Sequence, residues 1–124
     1  MDQELKAMID CQKIQKMAVW EVGTRTDKGI VSDIFQDGDF EIDASYVYEK
    51  SALLYEPTEK DVVGRLEKIT HEFSTHYDKN FNGKAKYSAC KGYRCFNSDT
   101  LLKALLKLWM WVEHSKEWKE GGWK

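Results

Sequence analysis

Apolar residues recur at helical spacing in two well-separated parts of the chain. Leu5, Met8 and Ile9 predict an N-terminal helix over roughly residues 3–16. A central helix is predicted from Thr58 to about residue 75, because apolar residues recur every three or four positions from 62 to 73. Thr58 and Asp61 have the spacing of a capping box, which marks where this central helix begins.

A third helix is predicted to start near Asn97 or Ser98 and to run to about residue 112. Leucines and aromatic residues occupy most of its positions, and only a stripe through Lys103, Lys107 and His114 is polar. A helix that is apolar on nearly all sides is buried, so this C-terminal helix is the predicted centre of the core.

Between the first two helices, shorter apolar segments predict three strands at 18–22, 30–35 and 40–49. Asp37-Gly38 supplies the turn before the last of them. From Phe40 to Glu49 apolar residues alternate with residues that are polar except for Val47, which predicts one long strand with an apolar face and a mostly acidic face.

Asn82-Gly83 predicts a further hairpin, with weaker strands at 84–89 and 92–96. The resulting order is helix, three strands, helix, hairpin, helix, which is typical of an α+β domain. We therefore predict a single domain over residues 1–124, in which a small, mostly antiparallel sheet is covered by the N-terminal, central and buried C-terminal helices. The tail from about residue 120 is predicted to fray.

Composition agrees with one globular domain. The chain has 124 residues, of which 42% are hydrophobic and one is proline, which excludes collagen-like and largely disordered classes. The N-terminal residues are acidic and polar rather than those of an export signal, and the most apolar window, 101–112, is too short to span a membrane. Three cysteines in such a chain predict reduced thiols and a cytoplasmic location.

Charge is unevenly distributed along the chain. Residues 32–61 hold nine acidic and two basic residues, whereas residues 79–124 hold ten basic and four acidic residues. The acidic segment has two interpretations, a solvated strand face or a docking surface for a basic partner protein. The residues predicted to bind in the second case are Asp37, Asp39, Glu41 and Asp43.

Tryptophans crowd the C-terminal end. Trp109 falls on the apolar side of its helix, whereas Trp111 points about 200° away from it and Trp118 lies beyond the regular pattern. Exposed tryptophans are favoured as interface anchors, so Trp111 and Trp118 are predicted to contact a partner protein or a second copy of the chain. Packing against the N-terminal helix is the alternative.

Basic and aromatic residues alternate in the predicted hairpin at 79–96. Cations that hold phosphates and rings that stack on bases are what single-stranded nucleic acid or a nucleotide requires. The residues predicted to bind in that case are Lys84, Lys86, Tyr87, Lys91, Tyr93 and Arg94. A hairpin whose rings dock on the core explains the same residues.

Metal and catalytic motifs are incomplete. Asp78–Gly83 matches the first half of a calcium loop, but position 12 is Ala89 where a glutamate is required. A zinc site from His71 and His76 with Cys90 and Cys95 has poor spacing, because histidines five apart on a helix diverge. We therefore predict no metal, no cofactor and no catalytic residues.

Gly29–Ile34 and the following Asp37-Gly38 turn resemble the strand-turn-strand unit of small barrels of the KOW or Tudor kind, over a dozen residues, which is too short to assign a family. Size and the excess of lysine over arginine resemble small accessory proteins of bacteriophages or mobile elements. The leading hypothesis is a non-catalytic cytoplasmic interaction or inhibitor-type protein that docks on a macromolecular partner. The alternatives are a nucleic-acid or nucleotide binder and a small enzyme of unknown reaction.

Overall fold

The computed structural model describes the backbone of residues 1–81 and 84–124, and the side chains of these residues except 80, 81, 84 and 85. Helices and antiparallel sheets make up the fold, which confirms the α+β class. The chain divides into two compact units, residues 1–57 and 58–124. One domain over the whole chain stays a prediction. The described strands form three antiparallel sheets rather than one.

The predicted N-terminal helix is interrupted. Helix α1 covers Gln3–Ile9 and α2 covers Gln12–Gln15, because Cys11 has an extended backbone with φ −148° and ψ 130°. The Gln15 amide compensates for the break, since its Nε2 donates to the Ile9 carbonyl at 2.9 Å and to the Tyr55 carbonyl at 3.0 Å. Its Oε1 accepts from the Tyr55 backbone N–H at 2.8 Å, so one side chain ties α2 to the end of this unit.

A four-stranded antiparallel sheet follows, in the order β1-β2-β3-β4. Its strands are Arg25–Thr26, Gly29–Ile34, Phe40–Ile42 and Tyr46–Tyr48, and a 3₁₀ helix covers Lys50–Ala52. One part of the core of this unit is a cluster of four buried residues against which Trp20 and Tyr48 pack. The cluster consists of Val31, Phe40, Ile42 and Leu53.

Two of the three strands predicted between the first two helices are wrong. Residues 18–22 form no strand, and the side chains of Val19 and Val22 are 68% and 63% exposed. The predicted long strand at 40–49 is a hairpin, because Asp43 and Ala44 adopt φ of 53° and 56° and turn the chain between β3 and β4. Two successive positive φ angles are the geometry of a type I′ turn.

The Asp43 carboxylate stabilises this turn from the side. Its Oδ1 accepts a hydrogen bond from the Ile30 backbone N–H at 3.0 Å. The carboxylate lies against Gly29, where an added Cβ would overlap it, and Gly29 itself has φ 135°. Gly29 is thus required here both by its backbone conformation and by the close approach of Asp43.

In the second unit, α3 covers Glu59–Ile69 and begins at the predicted capping box. The Thr58 hydroxyl accepts from the Asp61 backbone N–H at 3.1 Å, and the Asp61 carboxylate accepts from the Thr58 backbone N–H at 3.0 Å. The helix ends six residues earlier than predicted, because Thr70 is extended with φ −151°. Phe73 therefore lies at helical spacing but outside the helix.

A three-stranded antiparallel sheet comes next, in the order β5-β6-β7. Its strands are Ser74–Phe81, Lys84–Lys91 and Arg94–Ser98, so both weakly predicted strands exist. The predicted Asn82-Gly83 turn lies outside the described residues. Helix α4 covers Leu101–His114 and packs against α3, β6 and β7.

Helix α4 is buried even along part of its polar stripe. Lys103 is only 2% exposed, and its ammonium donates to the Asp99 carboxylate at 2.9 Å. That hydrogen bond lowers the pKa of the Asp99 carboxyl below its ordinary value, while burial acts in the opposite sense. A buried ammonium needs such compensation, so the hydrogen bond to Asp99 allows Lys103 to be covered although it lies on the polar stripe.

The C-terminal tail does not fray as predicted. Strands β8 (Trp118–Lys119) and β9 (Gly122–Trp123) pair as a short hairpin. Glu120 and Gly121 have φ of 53° and 75°, again the geometry of a type I′ turn. The Lys124 backbone N–H donates to the Glu117 carbonyl at 2.8 Å and closes the hairpin.

Candidate functional site

The four predicted acidic docking residues do not form one strand face. Asp37 lies in the turn before β3, Glu41 lies within β3, and Asp43 lies in the turn after it. Asp39 directly precedes β3 and is half-buried. A partner bound to the sheet face that carries Glu41 would therefore not contact all four acids as one surface.

Three of these acids accept hydrogen bonds within this unit, two of them from backbone N–H groups. The Asp37 carboxylate accepts from the Asp39 backbone N–H at 3.0 Å, and the Asp43 carboxylate accepts from the Ile30 backbone N–H. The Glu41 carboxylate accepts from the Ser32 hydroxyl at 2.9 Å. Aspartate is common in turns for this reason, so the acidity of this segment has a conformational explanation.

Residues of the predicted nucleic-acid site divide between the two faces of the β5-β6-β7 sheet. The register pairs Ala89 with Phe96, both buried, and alternation places Tyr87, Lys91 and Arg94 on that same face. Lys86 lies on the opposite face. Tyr93 lies in the turn between β6 and β7 and is fully exposed. The Lys84 side chain is among those the structure does not describe.

Tyr87 belongs to an aromatic pair on the sheet. Its ring centroid lies 4.7 Å from that of Tyr77, and the two residues are directly opposite each other on β5 and β6. Tyr77 is 55% exposed, while Tyr87 also lines a cleft of about 300 Å³ together with Glu59, Asp99 and residues 100–101. Tyr87 is thus directed toward a different region from Tyr93.

Arg94 links strand β7 to residues at and beyond the C-terminal end of α4. Its guanidinium lies 4.9 Å from the ring centroid of Phe96 and 6.0 Å from that of Trp111, within the range of cation–π contacts. It also forms an ion pair with Glu117. The Phe96 and Trp111 rings are themselves 5.7 Å apart, so Trp111 is half-buried against β7 rather than free.

The C-terminal hairpin continues from this contact. Glu117 precedes Trp118 in the chain and also pairs with Lys119 at 3.3 Å. Trp118 and Trp123 are register partners whose ring centroids lie 5.0 Å apart in an edge-to-face arrangement. Both indoles remain half-exposed.

These contacts bring together residues from two sets that the sequence predicted separately. We call them the aromatic–basic surface, defined as Tyr93, Arg94, Trp111, Glu117, Trp118 and Trp123. Tyr93 and Arg94 come from the predicted nucleic-acid site, whereas Trp111 and Trp118 come from the predicted protein-docking site. Sequence reasoning missed Glu117 and the hairpin pairing of Trp123. The Glu120-Gly121 turn between two tryptophans is the signal that could have identified that hairpin.

Many of the basic side chains that gave residues 79–124 their positive balance have internal partners. Arg94 and Lys119 share Glu117, Lys103 pairs with Asp99, and Lys124 pairs with Glu120 at 3.0 Å. The Lys107 ammonium donates to a backbone carbonyl, that of residue 97, at 2.8 Å. The excess of six positive charges in residues 79–124 is unchanged, because these acids are already counted in it, but these five side chains are directed to partners within the chain.

The cysteines differ from the predicted thiols. Cys90 and Cys95 are register partners on β6 and β7, 4.1 Å apart at Cα, and form a disulfide, while Cys11 is free. The prediction of reduced thiols is thus wrong for Cys90 and Cys95. His71 and His76 are exposed, and among the described side chains no group of three or more His, Cys, Asp or Glu could hold a metal. Part of the Asp78–Gly83 loop lies outside the described residues.

Comparison with known proteins gives no relationship from which to transfer a function: no protein-family model, curated protein or solved structure matches the chain. In the described part of the chain, no helix has the length and apolar character needed to cross a membrane.

Proposed function

We propose that this protein is a non-catalytic interaction protein that binds a partner protein through the aromatic–basic surface. The observation that carries the proposal is the set of contacts around Arg94, which links the β6–β7 turn to Trp111 and, through Glu117, to the C-terminal hairpin. Tryptophan, tyrosine and arginine are the residue types that most often dominate the binding energy of protein interfaces.

Tyr93 has a side chain that folding of the chain does not bury. Its side chain is fully exposed at the tip of a turn, so its ring loses no water when the protein folds. Burying such a ring in a partner would contribute about 2 kcal/mol to binding. Arg94, held by two rings and a carboxylate, would keep the neighbouring side of the surface ordered before binding, which reduces the entropic cost of association.

Charge favours a protein over nucleic acid as the partner. A strand of nucleic acid is held by cations that are available to its phosphates. On this surface Arg94 is paired with Glu117, which also pairs with the neighbouring Lys119. Lys86 lies on the other face of the sheet from Arg94, so of the lysines with described side chains in the predicted nucleic-acid site only Lys91 shares that face. An aromatic centre with largely neutralised charges matches the core of a protein interface.

The proposal keeps two expectations from the sequence, a cytoplasmic location and an origin as an accessory protein of a bacteriophage or mobile element. Disulfides are rare in the cytoplasm, so the Cys90–Cys95 bond is the feature that most directly opposes the first of these. Thiol titration of the protein taken directly from cells would decide the point. Three titratable thiols per chain would support the cytoplasmic expectation, and one would contradict it.

Site-specific photo-cross-linking tests the proposed function. A photoreactive p-benzoylphenylalanine at position 93 is expected to cross-link one partner protein in the cells that produce this chain. The matched control is the same replacement of Tyr46, another exposed tyrosine in a hairpin, which is 66% exposed. Equal cross-linking at the two positions would contradict the proposal, as would cross-linking only between copies of this chain.

A titration with oligonucleotides tests the alternative directly. Tryptophan fluorescence would be followed with single- and double-stranded oligonucleotides at two salt concentrations. The proposal predicts no saturable change at micromolar concentrations. Saturable binding that weakens steeply with salt would instead establish the nucleic-acid interpretation, because phosphate contacts release counterions.

A further inference from the structure

A surface groove in residues 1–57 has the features of a second binding site, separate from the proposed function. It has a volume of about 740 Å³, which is within the size range of small-molecule sites. Its lining combines an indole, aliphatic side chains, two lysines and short polar groups. The lining residues are Gln12, Gln15, Lys16, Ala18, Trp20, Lys50, Ser51, Leu53 and Leu54. We call it the Trp20 groove.

Trp20 gives the groove a rigid aromatic wall. Its ring centroid lies 5.3 Å from that of Phe40 and 6.5 Å from that of Tyr55, and it packs against the core cluster that includes Leu53. Since Phe40 and Tyr55 are buried, they fix one side of the indole. The part of Trp20 that lines the groove is therefore presented by a packed core.

Gln15 is a second lining residue that is held in place. Its amide makes three hydrogen bonds, to the Ile9 and Tyr55 carbonyls and from the Tyr55 N–H. These contacts hold α2 at a fixed distance from the segment that contains Leu53 and Leu54. A groove with walls of this kind needs little reorganisation when a ligand enters.

Both charged residues that line the groove are cations, and none of the described residues that line it is acidic. The Lys50 ammonium lies over the Trp20 ring, 5.7 Å from its centroid, so a positive charge is already held against the aromatic wall. Lys16 supplies the second charge from α2. The complementary ligand has a flat apolar body and a negative group.

From this geometry we infer that the Trp20 groove binds a small aromatic anion, with its ring against Trp20 and its carboxylate, sulfonate or phosphate between Lys16 and Lys50. An aromatic ring gains both apolar contact and a favourable ring geometry beside an indole. The anionic group gains charge-assisted hydrogen bonds from two ammonium groups. No chemical change of the ligand is implied.

Two fluorescent probes that differ in charge test this inference on the full chain. 1-Anilinonaphthalene-8-sulfonate is an aromatic anion, and N-phenyl-1-naphthylamine is its uncharged counterpart. We expect saturable binding of the sulfonate, at least about tenfold tighter than that of the uncharged probe. The double variant Lys16→Gln/Lys50→Gln should weaken sulfonate binding about tenfold and change the uncharged probe less than about twofold.

The matched control is Lys13→Gln, which removes an exposed lysine from the same helix that does not line the groove. It should leave both affinities unchanged. Equal affinities for the two probes, or a double variant that binds the sulfonate as the unmodified protein does, would overturn the inference.

The position of the bound probe is checked by NMR. The five tryptophans give five indole N–H signals, and Trp20→Phe identifies the signal of Trp20. Saturating sulfonate should shift the Trp20 signal and leave those of Trp118 and Trp123 in place. Shifts confined to the other tryptophans would contradict the inference, and would do so without affecting the proposed protein interface.

Discussion

Replacing Arg94 with alanine tests whether its ring contacts stabilise the second unit. The substitution removes an ion pair whose side chains are 49% and 28% exposed, which is worth about 0.5 kcal/mol at such exposure. It also removes two cation–π contacts, at 4.9 and 6.0 Å, each worth about 0.5 kcal/mol at a partly exposed site. We expect Arg94→Ala to lower the free energy of unfolding by about 1.5 kcal/mol.

Urea unfolding followed by tryptophan fluorescence measures this change. Four of the five tryptophans lie in residues 58–124, so the signal reports mainly on the unit that contains Arg94. With an m-value of about 1 kcal/mol/M for a unit of this size, the midpoint should fall by roughly 1.5 M. Arg94→Lys should lose about half as much, because lysine keeps the charge but not the planar group.

The matched control is Arg25→Ala, and both variants are also followed by far-UV circular dichroism because Arg25 lies in residues 1–57. Arg25 pairs with Glu56 at 3.8 Å, with side chains 56% and 19% exposed, and among the described residues it has no ring contact. Its loss should cost about 0.5 kcal/mol. If Arg94→Ala and Arg25→Ala cost the same within about 0.3 kcal/mol, the rings contribute nothing and the reasoning about Arg94 is wrong.

Three further predictions concern the fold. Gly29→Ala should destabilise by about 3 kcal/mol in urea unfolding, because it combines a φ of 135° with overlap of the Asp43 carboxylate. Reducing the Cys90–Cys95 disulfide should lower the free energy of unfolding by about 2 kcal/mol, as expected for a closed loop with a separation of five residues. The pKa of Asp99 is lowered in the folded protein, so the ionised carboxylate stabilises the fold. This contribution is present above the ordinary carboxyl pKa and is lost as the pH falls through the folded value. Asp99→Asn should remove that acid-dependent loss of stability in urea titrations between about pH 2.5 and 6.

Each of these predictions has an outcome that contradicts it. If Gly29→Ala lowers the free energy of unfolding by less than about 1 kcal/mol, the Asp43 turn rearranges freely. Identical unfolding with and without a reductant would mean that the disulfide does not constrain the chain. A pH dependence that Asp99→Asn leaves unchanged would place the acid sensitivity on other carboxyl groups.

The helices α3 and α4 of the second unit were predicted because their signals are local, whereas β5 and the C-terminal hairpin were not predicted. The capping box at Thr58 and Asp61 satisfies backbone groups within one turn, and α4 is apolar over most of its length. The burial of Lys103 could not be predicted, because it depends on how Asp99 and its neighbours close over the first turn of the helix. Long-range packing determines that position.

The first unit was harder to predict because its turns lack the usual residues. Ala44 adopts a positive φ that alanine disfavours, so alternation from 40 to 49 looks like a continuous strand. Residues 18–22 have the composition of a strand, but Val19 and Val22 are exposed. The hydrogen bond from the Ile30 backbone N–H to Asp43 outweighs local preference in the first case, and the hydrogen bonds of the Thr24 hydroxyl with Val19 and Glu21 do so in the second.

The candidate site was predicted in parts but not as a whole. Composition identified Trp111, Trp118, Tyr93 and Arg94 as residues for binding, although in two separate sets. Their connection depends on the cation–π contact between Arg94 and Trp111 and on the ion pair between Arg94 and Glu117, which join residues 17 and 23 positions apart. No spacing rule in the sequence predicts contacts of that kind.

The most direct test of the proposed interface is the affinity of the partner captured at position 93 for three forms of this protein: unmodified, Tyr93→Ser and Tyr46→Ser. Tyr93 is fully exposed, so its replacement should leave the stability unchanged. The proposal predicts at least about tenfold weaker binding for Tyr93→Ser and less than about twofold for Tyr46→Ser. Unchanged affinity of Tyr93→Ser, or an equal loss for both variants, would contradict it.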